Sequence, residues 1–335
     1  LMLLQGVIDS PDIPLNVSRS YLQSDANVKK IASYITKKVS QRLEEIAKND
    51  AKNFEEKWND IKIFIEYGML TNEKFCDSAL KFMLLEDTEG KYFKLDDYKT
   101  LIKDTQTDKD DNLVVLYATD KVAQYSYIKA ATDKGYNVLV MDGQLDSAFV
   151  GMLEQKVEKS HFVRVDSDVI DNLIKKEDAK DADVSEKQRN VLTTLFKSQI
   201  PAIDKAEFTI AFANLAADST PVVVTQSEYM RRMKEMAALQ PGMSFYGEFP
   251  DRYVLTLNVN HPVVKKVIDA SASALDAQVN PIEDELTVVN AEIKAIRDTD
   301  KDYKGLPADK QKEVDEKEKR ADELRDQEAA IVTEY

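Results

Sequence analysis

The chain has 335 residues, and 46 Lys and Arg against 61 Asp and Glu give a net charge of −15. Acidity on that scale repels a phosphate backbone and argues against duplex nucleic acid as the main partner. No apolar run approaches the roughly 18 residues of a membrane span, and the single Cys76 excludes a disulfide framework or thiolate zinc site within one chain.

The start LMLLQGVIDS lacks the basic flank and cleavage site of a signal peptide, so a soluble, cytoplasmic protein of two or three domains is expected. LLQGVI (3–8) reads as a short buried strand, and DSPDIPLN places Pro11 and Pro14 in a stiffened, exposed loop. Val28, Ile31, Ile35, Val39, Leu43 and Ile46 recur at three- and four-residue steps and predict an amphipathic helix over about 25–48. Helices over 52–68 and 72–85 follow, and Trp58, with Phe64 and Ile65 but no polar constellation around it, is read as core.

Between 91 and 166, the runs KYFKL, NLVVLYAT, NVLVM and HFVRV alternate with helical stretches at 121–134 and 145–156. This alternation predicts a small parallel sheet with crossover helices. The nine glycines form neither GxGxxG nor GxxxxGKS/T, so the sheet reads as a packing module rather than a dinucleotide domain. Asp96/Asp97 and Asp110/Asp111 fall in charged loops, where neither acid/base catalysis nor metal binding is expected. His161 and His261 lie next to strand-like sequence, away from any Ser or Cys nucleophile, and read as structural.

The Asp- and Lys-rich stretch 171–190 reads as a charged linker. Beyond it come a helix over 187–198, strands at 207–212 and 221–224, a helix over 226–239, a strand at 253–258 and a helix from Pro262, an α+β domain. Met230, Met233, Met236, Leu239, Met243 and Phe245 form a methionine-rich stripe. Such stripes are more often core, but the helix also carries Arg231, Arg232, Lys234 and Glu235, and apolar residues continue past Pro241 where no regular element is evident. Partial exposure and contact with varied apolar surfaces is the expectation. Ile282, Leu286, Val289, Ile293 and Ile296, with Val314, Ala321, Leu324 and Ile331, predict an antiparallel helical hairpin over 281–335. The fold class is thus α/β and α+β: a helical bundle, a small α/β/α sandwich, then an α+β domain carrying the hairpin.

The stretch GVIDSPDIPLNVSRSYLQ, Gly6 to Gln23, closely resembles the middle-domain signature of the ninety-kilodalton heat-shock chaperone family in its bacterial form. VLVMDGQLDSAF (138–149) is similar to a later middle-domain segment, and YMRRMKEMAAL with YVLTLNVNHPVVKKV to the carboxy-terminal domain, so the resemblance covers about residues 1–270. It implies part of an ATP-driven, dimeric clamp that binds unfolded or partly folded client proteins. The expectation is a fragment: middle domain over 1–170 (loop 6–23, helices 25–85, α/β module 91–166), linker 171–190, and carboxy-terminal domain over 187–335. Its hairpin, 281–335, would be an insertion standing in the place of the family's dimer helices.

The match assigns Arg19 to the γ-phosphate of ATP in trans, with Gln23 and Asn16 as neighbouring polar contacts, and the methionine stripe to clients. A guanidinium fork suits a terminal phosphate. ATP and Mg would be bound by the protein's own N-terminal ATPase domain, which these residues do not encode, so no activity of the fragment alone is expected. Some relatives place a client-touching aromatic where this chain has Ala148, next to Phe149. Two other classes remain open: a scaffold acting through the acidic hairpin, and a small-molecule enzyme at the sheet's carboxyl ends.

Overall fold

The computed structural model describes residues 26–176, 182–239, 250–298 and 307–335. The expected strand at 3–8 and the loop 6–23 lie outside them. The chain divides into two compact units, one of residues 1–177 with 232–247, the other of 178–231 with 248–335.

The first unit opens with α1 (Ala26–Asn49) and α2 (Ala51–Thr71). Phe54, Trp58, Ile65 and Met69 recur on one face of α2 and are buried, and Phe54 packs on Trp58 and edge-on to Phe82. Each such aromatic removes roughly 150–250 Å² from water. The next helix, α3 (Glu73–Ala79), capped by Asn72, whose side chain accepts a hydrogen bond from Phe75 N at 2.9 Å, is shorter than the expected 72–85. Phe82, Met83, Leu84 and Leu85 are all buried. Four consecutive buried residues leave no polar face, so the chain becomes extended and forms β1 (Leu84–Glu86).

Strand β1 pairs antiparallel with β2 (Tyr92–Lys94) around a turn in which Gly90 has φ +80°. Asp87, at the entry to that turn, accepts hydrogen bonds from Glu89 N (2.9 Å), Lys91 N (3.0 Å) and Asn137 Nδ2 (2.9 Å). Helix α4 (Leu95–Ile102) follows and buries Leu95, Tyr98 and Ile102. Asp96 and Asp97 stand in its first turn rather than in a loop, where the helix dipole favours them.

Three parallel strands follow, β3 (Leu113–Ala118), β4 (Val138–Val140) and β5 (Ser160–Arg164), in the order β4-β3-β5. Their crossovers are α5 (Tyr125–Asp133) and α6 (Asp146–Lys156). Alternate residues of β3 enter opposite clusters. Val115 and Tyr117 join Trp58, Leu139, Phe149 and Phe162, while Val114, Leu116 and Ala118 join Ile128, Ala131 and Val165. Burial on both faces explains the unbroken apolar run of the central strand. Phe149 is 3% exposed, so it is a core residue and not a surface aromatic. The short α7 (Ile170–Leu173) ends the described run of this unit inside the stretch read as linker.

The second unit begins its regular structure with α8 (Glu186–Gln199), started by a capping box in which Ser185 and Gln188 bond reciprocally. Its sheet contains β6 (Ala206–Ala213), β7 (Val222–Gln226) and β8 (Asp251–Asn258) in the order β6-β8-β7, with β6 parallel and β7 antiparallel to β8. Helix α9 (Glu228–Leu239) lies between β7 and β8 in sequence. His261 then caps α10 (Pro262–Arg297), its Nδ1 accepting from Val263 N at 3.1 Å. This is the structural role expected of a histidine beside strand sequence.

Helix α10 runs through Pro281 without a break, so the first arm of the hairpin starts at Pro262 and not at 281. Pro281 and Ala277, the residue whose carbonyl loses its donor, are both exposed, which leaves that carbonyl open to water. The second arm, α11 (Ala308–Glu334), packs antiparallel through Leu286, Val289, Ile293, Val314, Ala321 and Leu324. Surface ion pairs such as Arg320–Glu285 (2.7 Å) and Lys317–Glu292 (2.6 Å) line the seam.

Candidate functional site

The methionine stripe begins on α9, where Met230 and Met233 are half-buried and Tyr229, absent from the sequence reading, is exposed. Met236 and Leu239 belong to the same helix; their side chains, and Met243 and Phe245, lie outside the described residues. The arginines of α9 do not form a solvated face. Arg231 is buried and bound to Glu228 Oε1 at 2.6 Å.

Arg232, which belongs to the first unit, directs Nη1 to Glu154 Oε2 (2.7 Å) and Nη2 to Glu154 Oε1 (3.3 Å) and to the Phe162 carbonyl (2.5 Å). Glu154 Oε1 also accepts from Phe162 N at 2.7 Å. A planar fork can grip both oxygens of a carboxylate and a carbonyl in one fixed geometry, which the single nitrogen of a lysine cannot reproduce. The ion pair fastens the part of α9 from Arg232 onward to α6 and β5.

A second constellation, unread in the sequence, lies at the carboxyl ends of β3 and β4. Lys62 and Glu66 occupy successive turns of α2, and Lys62 Nζ lies 3.2 Å from Asp146 Oδ2 and 3.8 Å from Glu66 Oε1. Asp146 also accepts from Gly143 N at 2.8 Å. Glu66 and Asp146 are each 2% exposed. Burial, then the Asp146 charge, pushes the Glu66 carboxyl up to about 8 against the opposing pull of Lys62. Burial works to lower the Lys62 ammonium, but Asp146 and Glu66 outweigh it and its pKa rises.

The group thus sets one ammonium against two buried carboxyl groups, and the proton on Glu66 is held more tightly than on a free carboxyl. A cleft of about 320 Å³ opens beside it, lined by Asn59, Ile63, Lys121, Asp142 and Gly143 among others. Trp58 is core, as expected, at 2% exposed; Lys62, one turn along the same helix, is the residue the sequence does not single out. The available signal was position, since 58, 62, 65 and 69 trace one face of α2 and a lysine on that face needs a buried partner. Among the described residues no group of three or more His, Cys, Asp or Glu could hold a metal ion. Asn16, Arg19 and Gln23 lie outside the described residues.

The family model described as Hsp90 protein matches residues 1–295. The chaperone protein HtpG of Bacteroides thetaiotaomicron is 57% identical over 337 aligned residues, which cover all of this chain and 50% of the relative. HtpG of Bacteroides fragilis is 55% identical with the same coverage. That of Porphyromonas gingivalis W83 is 53% identical over 304 residues, 91% of this chain and 44% of its own length. The chain thus spans about half the length of the curated relatives it matches. In both Bacteroides relatives the aligned region includes the hairpin, so the expected insertion is not peculiar to this chain.

Proposed function

Because the chain belongs to the Hsp90 family, we propose that it is part of an ATP-dependent molecular chaperone that binds unfolded or partly folded proteins. The observation that carries this reading is the match over residues 1–295, supported by relatives named as chaperones across the whole chain. The protein would work as a homodimer in the cytoplasm, with ATP and Mg held by its N-terminal ATPase domain. There the bound nucleotide supplies a phosphoanhydride bond whose hydrolysis drives the cycle.

The contribution of this chain's own residues is electrostatic. The Arg19 guanidinium would bind the terminal phosphate and offset its charge, with Asn16 and Gln23 as neutral donors beside it; one cation flanked by amides suits a polyanion. Helix α9 would contact clients through Met230 and Met233, continued by Met236, Leu239, Met243 and Phe245. Unbranched, polarizable methionines adapt to many apolar surfaces, and each contact contributes only roughly 25 cal/mol per Å² before ordering costs, so binding is broad and individually weak. The test of the nucleotide role is Arg19→Ala in the whole protein. The expected result is slower ATP turnover with nucleotide affinity nearly unchanged, and unaltered turnover would remove the role.

A further inference from the structure

The hairpin seam contains a polar layer between two apolar ones. On one side Leu286, Val289, Ile293, Val314, Ala321 and Leu324 close a two-helix core. On the other, Val191 of α8 joins Leu275, Val279 and Val332 in a three-helix core. Between them lie Glu283 of α10 and Glu328 of α11, each 4% exposed. Asn190 of α8 donates from Nδ2 to Glu283 Oε1 at 2.7 Å, the two carboxyl groups lie close enough to hydrogen-bond once one carries a proton, and Glu328 Oε1 has no partner among the described residues.

Two buried carboxylates this close repel each other unless one carries a proton, and among the described residues no Lys or Arg pairs with either. Of the charged groups near it, Lys187 on α8 is held by Asp284 at 2.6 Å, Arg320 on α11 by Glu285 at 2.7 Å, and Arg325 by Asp322 at 2.7 Å. All three pairs are on the exposed surface. Asn190, the residue α8 presents to the layer, is neutral and donates to Glu283 alone.

We propose that Glu328, Glu283 and Asn190 form a proton-dependent clasp that holds the hairpin against α8, closed while Glu328 carries a proton and loosened once it ionises. Burial first, then the Glu283 charge, raises the Glu328 carboxyl to about 7 from an ordinary 4.5. A carboxyl raised in the folded state contributes its full stabilisation below the unfolded value, and loses it as pH rises through the folded one. The window therefore runs from about pH 4.5 to 7, and between about pH 6 and pH 8 the opening equilibrium rises about tenfold. Solvent exposed by opening would hydrate both carboxylates, which is what draws the helices apart above neutrality.

The experiment is hydrogen exchange on the full chain at about pH 6 and about pH 8, corrected for intrinsic exchange and read on peptides from α8 and α11. Wild type is expected to lose about tenfold protection there at the higher pH. Glu328→Gln keeps a hydrogen-bonding amide in place of the titrating carboxyl and is expected to hold protection constant over the same range. Wild-type protection that does not change with pH overturns the clasp without recourse to a variant. So does a folded Gln variant whose protection falls as the wild type's does.

Discussion

Replacing Arg232 by Ala removes the guanidinium that joins α9 to Glu154 and the Phe162 carbonyl. The side chains of Arg232 and Glu154 are 22% and 24% exposed, between a surface pair and a buried one. Surface ion pairs are worth roughly 0–1 kcal/mol, and hydrogen bonds to charged groups roughly 1.5–3 kcal/mol. Three bonds of 2.5–3.3 Å to two acceptors place the loss at about 2 kcal/mol, since Glu154 keeps its bond from Phe162 N. For a unit of this size that is roughly 4–8 °C in Tm. Arg232→Lys should recover only part of it, because a single nitrogen cannot reproduce the paired bonds of the guanidinium fork to the carboxylate.

The assay is thermal unfolding of Arg232→Ala, Glu154→Ala and the double variant, with hydrogen exchange on peptides from α9 and β5. A coupling energy of about 1–2 kcal/mol is expected from the cycle, together with faster exchange in α9. A coupling below about 0.5 kcal/mol, or α9 exchange unchanged in Arg232→Ala, would refute the anchoring of the helix by this pair.

Two other outcomes follow from the same physics. Glu66→Gln should flatten the fall in stability of the first unit between about pH 6 and pH 9. The wild-type carboxyl, raised to about 8, stabilises fully below its ordinary 4.5 and loses that contribution as pH passes 8; within this window the wild-type unfolding constant rises by at most about tenfold per pH unit, read by urea titration. Asp87→Ala strands the donors of Glu89, Lys91 and Asn137 and should cost about 3 kcal/mol or more, measured by urea unfolding, with exchange rising first in the β1–β2 turn.

Local periodicity made much of the fold legible. The stripe from Val28 to Ile46 marked α1, and the apolar runs marked β3, β4 and β5 to within a residue or two. Where the sequence misled, the cause was a competing pattern. Phe82 to Leu85 extended an apolar stretch past Ala79 that burial on every side forces out of the helix. Leu95, Tyr98 and Ile102 fit one face of α4 but span barely two turns, too few to stand out beside KYFKL. The spacing that marks the hairpin begins at Ile282, yet α10 runs on through Pro281, whose solvent-facing position makes the missing donor harmless. The Lys62–Glu66–Asp146 group could not be assembled locally, since Asp146 lies 84 residues from Lys62. Glu283 and Glu328 were hidden in a seam whose surrounding charges are indeed solvated. The stretch at Gly6 to Gln23 was legible only as a family likeness.

The client contact proposed for α9 places Met230 and Met233 against unfolded chains. Aggregation of a chemically unfolded substrate, followed by light scattering with the whole protein and ATP, tests this directly when Met230 and Met233 are both changed to Ser. Protection reduced several-fold, with thermal unfolding and ATP turnover preserved, is the predicted result. Protection equal to wild type in a protein that remains folded would contradict it.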